Sequence, residues 1–558
     1  MNTVTEFADE LLDIIAEEDP LNEFLEGYPG FSHRLSDLDE AAEGRLRDRA
    51  LGIAEAARGL DPVPEDWVTR AVVVQQAEAV ADRIDSRLVE HTMTDYHTAP
   101  ISRLLGRLPL VRPIGDEEER SFLIRLTAVQ EFLAKAAARH RGGVAAGRLP
   151  VAERVRRTIA RLDSYLANPA GDPLRRPPLS DAYAAERDRL LADVVRPAFA
   201  TYRDVLDSEI APYGRTQERP GLCWLPNGEA TYSSLTRVHT TTDRTPEELH
   251  QTGLDLIEQL AEEYVAIGSG VFGVRTVAEV HHQMRTDPAL RWGSAEELLA
   301  AARAAIDRAE RVAPNWFGRL PSHRCALEPT PEAEAADAAA AYYMPPALDG
   351  SRPGTYFANT HRAAERDRCV SEATAFHEAV PGHHFQVTVA QELTQLPRLR
   401  RLAWINSYIE GWGLYAERLA DEMGLYSNDI ARLGMLAMDS MRAARLVVDT
   451  GLHAFGWSRQ RVVDYLREHT VMADVEIAEE TDRYIEMPGQ ALSYMVGRLE
   501  IQRLRDKAEG ELRDAFDIRA FHDLVLGGGA LPMAVLDDVV AEWTAAVKGH
   551  AARPVTER

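Results

Sequence analysis

The sequence has few cysteines, no long apolar run and too few basic residues to balance its acidic ones, and each shortage excludes a class of protein. Its three cysteines, Cys223, Cys325 and Cys369, have wide and irregular spacings. Such a set excludes a disulfide framework or a CxxC zinc knuckle and favours a reducing compartment. No uninterrupted apolar run reaches the roughly 18 residues that span a bilayer, and residues 1–20 lack the pattern of a signal peptide. We therefore expect a soluble, cytoplasmic protein.

The shortage of basic residues also limits the partners. The chain contains 63 Lys and Arg against 89 Asp and Glu, and its formal net charge is −26. Nucleic acid and anionic membrane surfaces would be repelled over long range, so we expect neither as a partner. Hydrophobic residues make up 45% and charged residues 27% of the 558 residues, which is typical of a folded globular protein with a large core.

Helical periodicity dominates what the sequence does contain, and it predicts a mainly α-helical fold. We predict an N-terminal helical region over residues 1–210 and a helical catalytic region over 211–558, as two halves of one unit. Residues 211–242 and 342–360 are rich in Gly and Pro and predict loops with short strands. The predicted helices cover residues 5–18, 38–60, 67–89, 120–140, 151–167, 181–210, 246–267, 294–313, 366–393, 402–422 and 532–547.

The segment HEAVPGHH, residues 377–384, carries the strongest chemical signal. In the zinc motif HExxH the second His follows the first by four residues and shares its helical face. Here Pro381 takes that position and has no N–H, so the helix must distort. On a straight helix His383 and His384 would lie about 9 and 10 Å beyond His377. A bulge at Pro381-Gly382 that loops out two residues would select His383 as the second ligand. A bulge that loops out three residues would select His384 instead. The spacing favours His383 and leaves His384 open.

A second motif, EGWGLYAE at residues 410–417, lies on the next predicted helix. Gly411 and Gly413 each cost about 1 kcal/mol relative to alanine in a helix, so we predict that they permit close approach of another helix or a ligand. Glu410 would join two histidines as a zinc ligand and leave one position for water, on which Glu378 would act as general base. The alternative is that these are polar residues on a kinked helix without a metal.

A third motif, MPGQALSY at residues 487–494, ends at Tyr494, whose hydroxyl could stabilise an oxyanion. A core or rim position is the alternative for this tyrosine. Arg352 or Arg498 could hold a substrate carboxylate. His239 and His250 could reach the site, although a structural role is an equal alternative for each.

Taken together, these motifs resemble those of the bacterial domain-of-unknown-function family 885, over roughly residues 20–550. That family in turn resembles the helical zinc metallopeptidases that include carboxypeptidase Taq, neurolysin and angiotensin-converting enzyme. The resemblance implies a helical body with a deep cleft, the HE helix on its floor and a small strand element beside that helix. It also implies Zn²⁺ at His377, His383 and Glu410, with Glu378 as general base and acid and Tyr494 at the oxyanion.

The resemblance further implies that Glu372 or Glu417 orients the ligand histidines. We therefore predict a zinc-dependent, carboxypeptidase-like hydrolase that cleaves a peptide or related amide bond. One alternative is a zinc hydrolase or lyase that acts on a small metabolite, and another is a zinc-stabilised helical binding protein without turnover. A homodimer is left open.

Overall fold

The computed structural model describes residues 3–25, 28, 30–60, 66–94, 98–335, 338–348, 350 and 352–551. It is 72% helical with one small sheet, which confirms the predicted mainly α-helical class. None of the helices in these ranges combines the length and the apolar character needed to cross a membrane.

The first helix begins with a capped first turn. Thr3 accepts a hydrogen bond from the backbone of Glu6, whose side chain accepts one from Thr3 in return. The α-helices described before residue 211 are α1 (Val4–Glu18), α2 (Pro20–Leu25), α3 (Glu40–Arg58), α4 (Trp67–Asp85), α5 (Pro100–Ser102), α6 (Gly115–Ala145), α7 (Ala152–Ala167), α8 (Asp181–Leu190) and α9 (Arg196–Val205).

The remaining chain holds most of the helices and the sheet. The first part contains α10 (Gly228–Thr240), α11 (Pro246–Phe272), α12 (Val277–Thr286), α13 (Ala295–Val312), β1 (Ala326–Pro329), α14 (Glu332–Ala335), β2 (Ala341–Met344) and β3 (Thr355–Ala358). The second part contains α15 (Ser371–Glu378), α16 (His383–Glu392), α17 (Arg398–Leu402), α18 (Asn406–Glu422), α19 (Asp429–His453), α20 (Arg459–His469), α21 (Asp474–Glu486), α22 (Ser493–Leu512), α23 (Ile518–Gly527) and α24 (Met533–Ala551).

The sheet confirms the strand-and-loop prediction for residues 342–360. Its strand order is β1-β3-β2, with β1 parallel and β2 antiparallel to β3. Strand β2 also contacts α15, which places the sheet beside the helix that carries the HE pair. Asp349 and Ser351 of this stretch lie outside the described residues.

Two apolar clusters organise the core of the N-terminal half. One runs from Leu21 to Ile210 and lies wholly before residue 211. The other joins Phe7 of α1 to Trp412 of α18 and Val540 of α24. Helices α1, α3 and α4 therefore pack on the same core as the helix that carries Glu410. The division at residue 210 stays a prediction.

Three local predictions are wrong. Residues 211–242 were expected to be loops and strands, yet they include the 13-residue helix α10. The helix predicted to end near residue 140 continues through Gly142-Gly143 to Ala145, because Gly143 fits closely against Glu90. The helix predicted over 366–393 begins only at Ser371 and is interrupted between Glu378 and His383.

Candidate metal centre

The interruption between α15 and α16 brings the two histidines together. Ala379 and Gly382 leave helical geometry, with ψ values of −98° and −129°, and the Val380–Pro381 peptide is cis. Gly382 lies on the carbonyl end of α15, where an added Cβ would be 1.9 Å from the carbonyl oxygen of His377. The predicted bulge within a continuous helix is therefore wrong, and a complete break takes its place. The imidazole rings of His377 and His383 lie 4.5 Å apart, at 81° to each other.

Helix α18 holds this break in position through a buried tryptophan. The indole Nε1 of Trp412 donates a hydrogen bond of 2.8 Å to the carbonyl of Pro381. Trp412 is fully buried, so this bond is shielded from water. Trp412 was not among the residues predicted to take part in the site. Its place two residues after Glu410, in a motif with two glycines, was the available signal.

Both glycines of the second motif allow the close approaches that were predicted. A Cβ on Gly411 would lie 2.5 Å from the Cα of Gly497 in α22. A Cβ on Gly413 would lie 2.7 to 3.0 Å from three atoms of the His377 ring. Gly411 therefore lets two helices touch, and Gly413 makes room for a candidate ligand.

The donor atoms of His377, His383 and Glu410 converge on one point. All three lie within 4.8 Å of one another. The Nε2 atoms of His377 and His383 are 3.6 and 3.5 Å from the same oxygen of Glu410, which is long for a hydrogen bond. Two atoms that each lie about 2.0–2.1 Å from a tetrahedral zinc ion are about 3.4 Å apart. The donor set and its spacing therefore fit a zinc ion.

A buried carboxylate orients the first histidine. The Nδ1 of His377 is 2.8 Å from Oε1 of Glu417, and Glu417 is 1% exposed. This contact keeps the proton on Nδ1 and leaves Nε2 for the centre. The Nδ1 of His383 is buried and has no hydrogen-bond partner among the described residues, so the protein does not fix the orientation of that ring in the same way.

The electrostatics of the centre favour positive charge. Burial disfavours a charged His377, but Glu410 and Glu417 outweigh it and raise the pKa of this histidine to about 9. Burial also opposes the Glu410 carboxylate, yet His377 and His383 hold its pKa well below the usual range. The site therefore stabilises a cation, which is a proton on His377 in the absence of metal and would be a divalent ion when one is bound.

Two further predicted residues lie beside this centre. Glu378 ends α15, is partly buried, and has no hydrogen-bond partner within the described part of the chain. Tyr494 lines a cavity of about 840 Å³ together with Glu410. Burial and then the charge of Glu410 raise the pKa of Tyr494, so its hydroxyl remains a hydrogen-bond donor.

His239 lines the same cavity, where its Nδ1 accepts a hydrogen bond of 3.0 Å from Asn406. The cavity walls also include Glu18 and Arg83 from the N-terminal helices.

His384 points away from the centre. Its Nδ1 is 3.1 Å from the hydroxyl of Tyr343 on β2, and its Nε2 donates to the carbonyl of His323 at 2.9 Å. Burial lowers its pKa, which suits this neutral structural role. The geometry therefore brings His383 to the centre and leaves His384 to tie α16 to the sheet.

Other predicted residues also lie elsewhere. Glu372 accepts from the backbone of Ser427 and pairs with Arg308 at 2.8 Å, so it does not touch the ligand histidines. Arg498 pairs with Asp439 at 3.4 Å. Arg352, Arg498 and His250 are absent from the described residues that line the cavity.

Two solved structures share this fold. A candidate lipoprotein from Colwellia psychrerythraea is 25% identical, with a TM-score of 0.89 over 98% of this chain and 100% of that one. A candidate lipoprotein of unknown function from Shewanella oneidensis is 16% identical, with a TM-score of 0.76 over 97% of this chain and 100% of that one, and this likeness shows the fold alone. The lipoprotein description belongs to those proteins, and the cytoplasmic location of this chain stays a prediction.

No curated protein matches the chain. The family described as bacterial protein of unknown function, DUF885, matches it over residues 20–540. This match spans most of the chain, including all three motifs around the candidate centre. The chain therefore belongs to the DUF885 family of bacterial proteins.

Proposed function

We propose that this protein is a zinc-dependent hydrolase that cleaves a peptide or related amide bond. His377, His383 and Glu410 would hold the ion. The observation that carries the proposal is the convergence of their three donor atoms within 4.8 Å, together with the buried Glu417 that orients His377. His377 and His383 lie on either side of a helix break, and Glu410 lies on a different helix. Polar residues on a protein surface have no need of such an arrangement.

The roles of the other residues follow from their positions. Zinc, when bound in such a site, acidifies a water molecule and polarises a carbonyl group. The Glu378 carboxylate makes no hydrogen bond to the described part of the chain, so it can accept a proton and pass it to the leaving nitrogen. The Tyr494 hydroxyl, which keeps its proton, can donate to the oxyanion that develops on the attacked carbonyl.

The relationship to the helical zinc metallopeptidases is part of this proposal. It is supported by an HE helix beside a small sheet and by a large cavity on which Glu410 opens. A volume of about 840 Å³ is within the usual range of small-molecule pockets and accommodates a short peptide.

Two observations favour catalysis over a purely structural zinc site. Structural sites are closed by four protein ligands, whereas the described residues provide three in this cluster. A structural site also has no need for a carboxylate directly after a ligand, and Glu378 is a partly buried one with no hydrogen-bond partner among the described residues.

The test compares the wild type with Glu378→Gln, both purified without chelator. We expect one zinc per chain in each by elemental analysis. The wild type should cleave members of a mixed peptide pool, read by mass spectrometry, and the variant should be slower by about 10²- to 10⁴-fold. Absence of zinc from both proteins would refute the centre, and full activity in the variant would refute the role of Glu378. Zinc without peptide cleavage would favour the small-metabolite alternative.

A further inference from the structure

A buried arginine lies beside Tyr494 with part of its hydrogen-bonding capacity unused. Arg445 of α19 is 5% exposed. Its Nη2 donates to Glu480 at 2.9 Å and its Nε to the hydroxyl of Tyr484 at 3.0 Å. Its Nη1 is buried and has no hydrogen-bond partner among the described residues. Buried donors are rarely left without a partner, so this atom would bond either a water molecule or a ligand that reaches it from the cavity.

The charge around Arg445 is also incompletely balanced. Arg483 donates to both carboxylate oxygens of Glu480, at 3.0 and 2.9 Å, and to Gln490 at 2.7 Å. Two guanidinium groups therefore share the single carboxylate of Glu480. The nearby Glu486 accepts instead from the backbone of residues 93 and 94. Glu476 is a second carboxyl group near Arg445, but burial and then Glu480 raise its pKa to about 7, so it is only partly ionised at neutral pH. The two guanidinium groups are therefore incompletely balanced, and a buried charge of this kind is costly unless a ligand pairs with it.

This excess charge faces the candidate active site. Arg445 and Arg483 line the same cavity as Glu410 and Tyr494. The guanidinium carbon of Arg445 is 4.6 Å from the centroid of the Tyr494 ring. A group bound to Arg445 would thus lie close to the ring of Tyr494, whose hydroxyl is proposed to face the scissile carbonyl.

We propose that Arg445, supported by Arg483, binds a carboxylate of the substrate and makes the enzyme selective for short peptides with a free C-terminal carboxylate. The inference rests on the proposed function. Guanidinium groups are suited to this role because their donors match the two oxygens of a carboxylate. A carboxylate at the end of the chain, held near the reacting bond, directs cleavage toward the C-terminus of the peptide. An acidic side chain offers the same chemistry and is distinguished below.

The experiment measures binding, so that it does not depend on turnover. Zinc-loaded protein carrying Glu378→Gln is equilibrated by dialysis with two pools of N-acetylated tripeptides, one ending in a carboxylate and the other in an amide. Bound peptides are quantified by mass spectrometry. The same measurement is made after adding Arg445→Gln or Arg445→Lys. Arg401→Gln is the matched control, because Arg401 lines the cavity but donates to the backbone carbonyl of Gln391.

We expect the acid pool to be favoured over the amide pool by about 10- to 100-fold, as for a hydrogen bond to a charged group. Arg445→Gln should reduce this ratio to near 1, Arg445→Lys should retain part of it, and Arg401→Gln should retain it fully. A residue with only a packing role would weaken binding of both pools equally. Circular dichroism melting confirms that each variant folds.

The proposal is overturned by any of four results: a ratio near 1 in the parent protein, no binding of either pool, a ratio that survives Arg445→Gln, or one lost with Arg401→Gln. Enrichment of Asp- or Glu-containing peptides within the amide pool would show that the site binds a side-chain carboxylate. That result would overturn the proposal that it binds the C-terminal carboxylate. If the Glu378→Gln protein prefers the pool that ends in a carboxylate but the wild type cleaves none of those peptides, the carboxylate site is supported and the proposed hydrolase function is refuted.

Discussion

Replacing Gly413 by alanine should damage the candidate metal centre without touching a ligand. The added Cβ would lie 2.7 Å from Cε1, 2.9 Å from Nε2 and 3.0 Å from Nδ1 of His377. Carbon atoms in contact settle at about 3.5–4.0 Å, so the ring would have to retreat by roughly 0.8–1.3 Å. Its Nδ1 is tied to Glu417, and metal–ligand distances tolerate only about 0.2 Å.

The ring therefore cannot keep both its carboxylate partner and its place in the centre. We expect the affinity for zinc to fall by about 10- to 100-fold, the range found when the support of a ligand is lost. The free energy of unfolding of the metal-free protein should change less. Overpacking costs about 1–3 kcal/mol, and the better helix propensity of alanine offsets about 1 kcal/mol of that.

Competition with a chromogenic chelator measures the zinc affinity, and urea denaturation measures the stability. Gly510→Ala is the matched control, because Gly510 lies in α22 and an added Cβ would meet no atom within 4 Å. The control should gain about 0.5–1 kcal/mol of stability and bind zinc as the wild type does. Zinc binding by Gly413→Ala within about twofold of the wild type would refute the geometry inferred for the centre.

Two further predictions concern the second histidine and a buried acid. His383→Ala should lower zinc affinity by at least about 10²-fold, whereas His384→Ala should keep zinc and lose about 1–3 kcal/mol of stability with its bonds to the sheet. Elemental analysis measures the zinc and denaturation measures the stability. Loss of zinc from His384→Ala but not from His383→Ala would make His384 the ligand. Burial raises the pKa of Asp449 from 3.8 to about 7, so the folded protein holds this proton more tightly than the unfolded chain does. The free energy of unfolding should therefore fall, by up to about 4 kcal/mol, as pH rises from about 4 to about 7. Asp449→Asn keeps the oxygen that accepts hydrogen bonds from Tyr232 and Gly489. The free energy of unfolding of this variant, relative to that of the wild type, should therefore be higher at pH 8 than at pH 5 in denaturation curves. The same difference at both pH values would contradict the reasoning.

The helical class and most long helices follow from periodicity, because each buries one apolar face. The predicted capping box at Thr245 and Glu248 starts α11 as expected. Helix α10 was missed because its neighbourhood is rich in Gly, Pro and Thr, and its ends use left-handed residues, Asn227 and Thr241, that short-range propensity does not identify. Such boundaries are decided by tertiary packing, which a single sequence does not display.

The candidate site was predictable where chemistry constrains residue types. Histidine, glutamate and glycine at unusual positions indicated which side chains should meet. The local geometry that brings them together was not predictable, because proline and glycine permit either a bulge or a complete break. The bond from Trp412 to Pro381 that accompanies the break comes from a different helix. Arg445 escaped notice for a different reason. It lies in a long helix whose pattern is that of core packing, and only its neighbours reveal an unused donor.

The walls of the cavity have a consequence for how this protein can diversify. Glu18 and Arg83, at the ends of α1 and α4, face the same space as Glu410, although more than 320 positions separate them in the chain. Substitutions in these first helices would reshape the cavity on which Glu410 opens while leaving the candidate ligands themselves untouched. Members of one family can in this way change which ligands fit the cavity through residues remote in sequence from the HEAVPGHH segment. A fragment that began after α4 would lack one wall of the cavity.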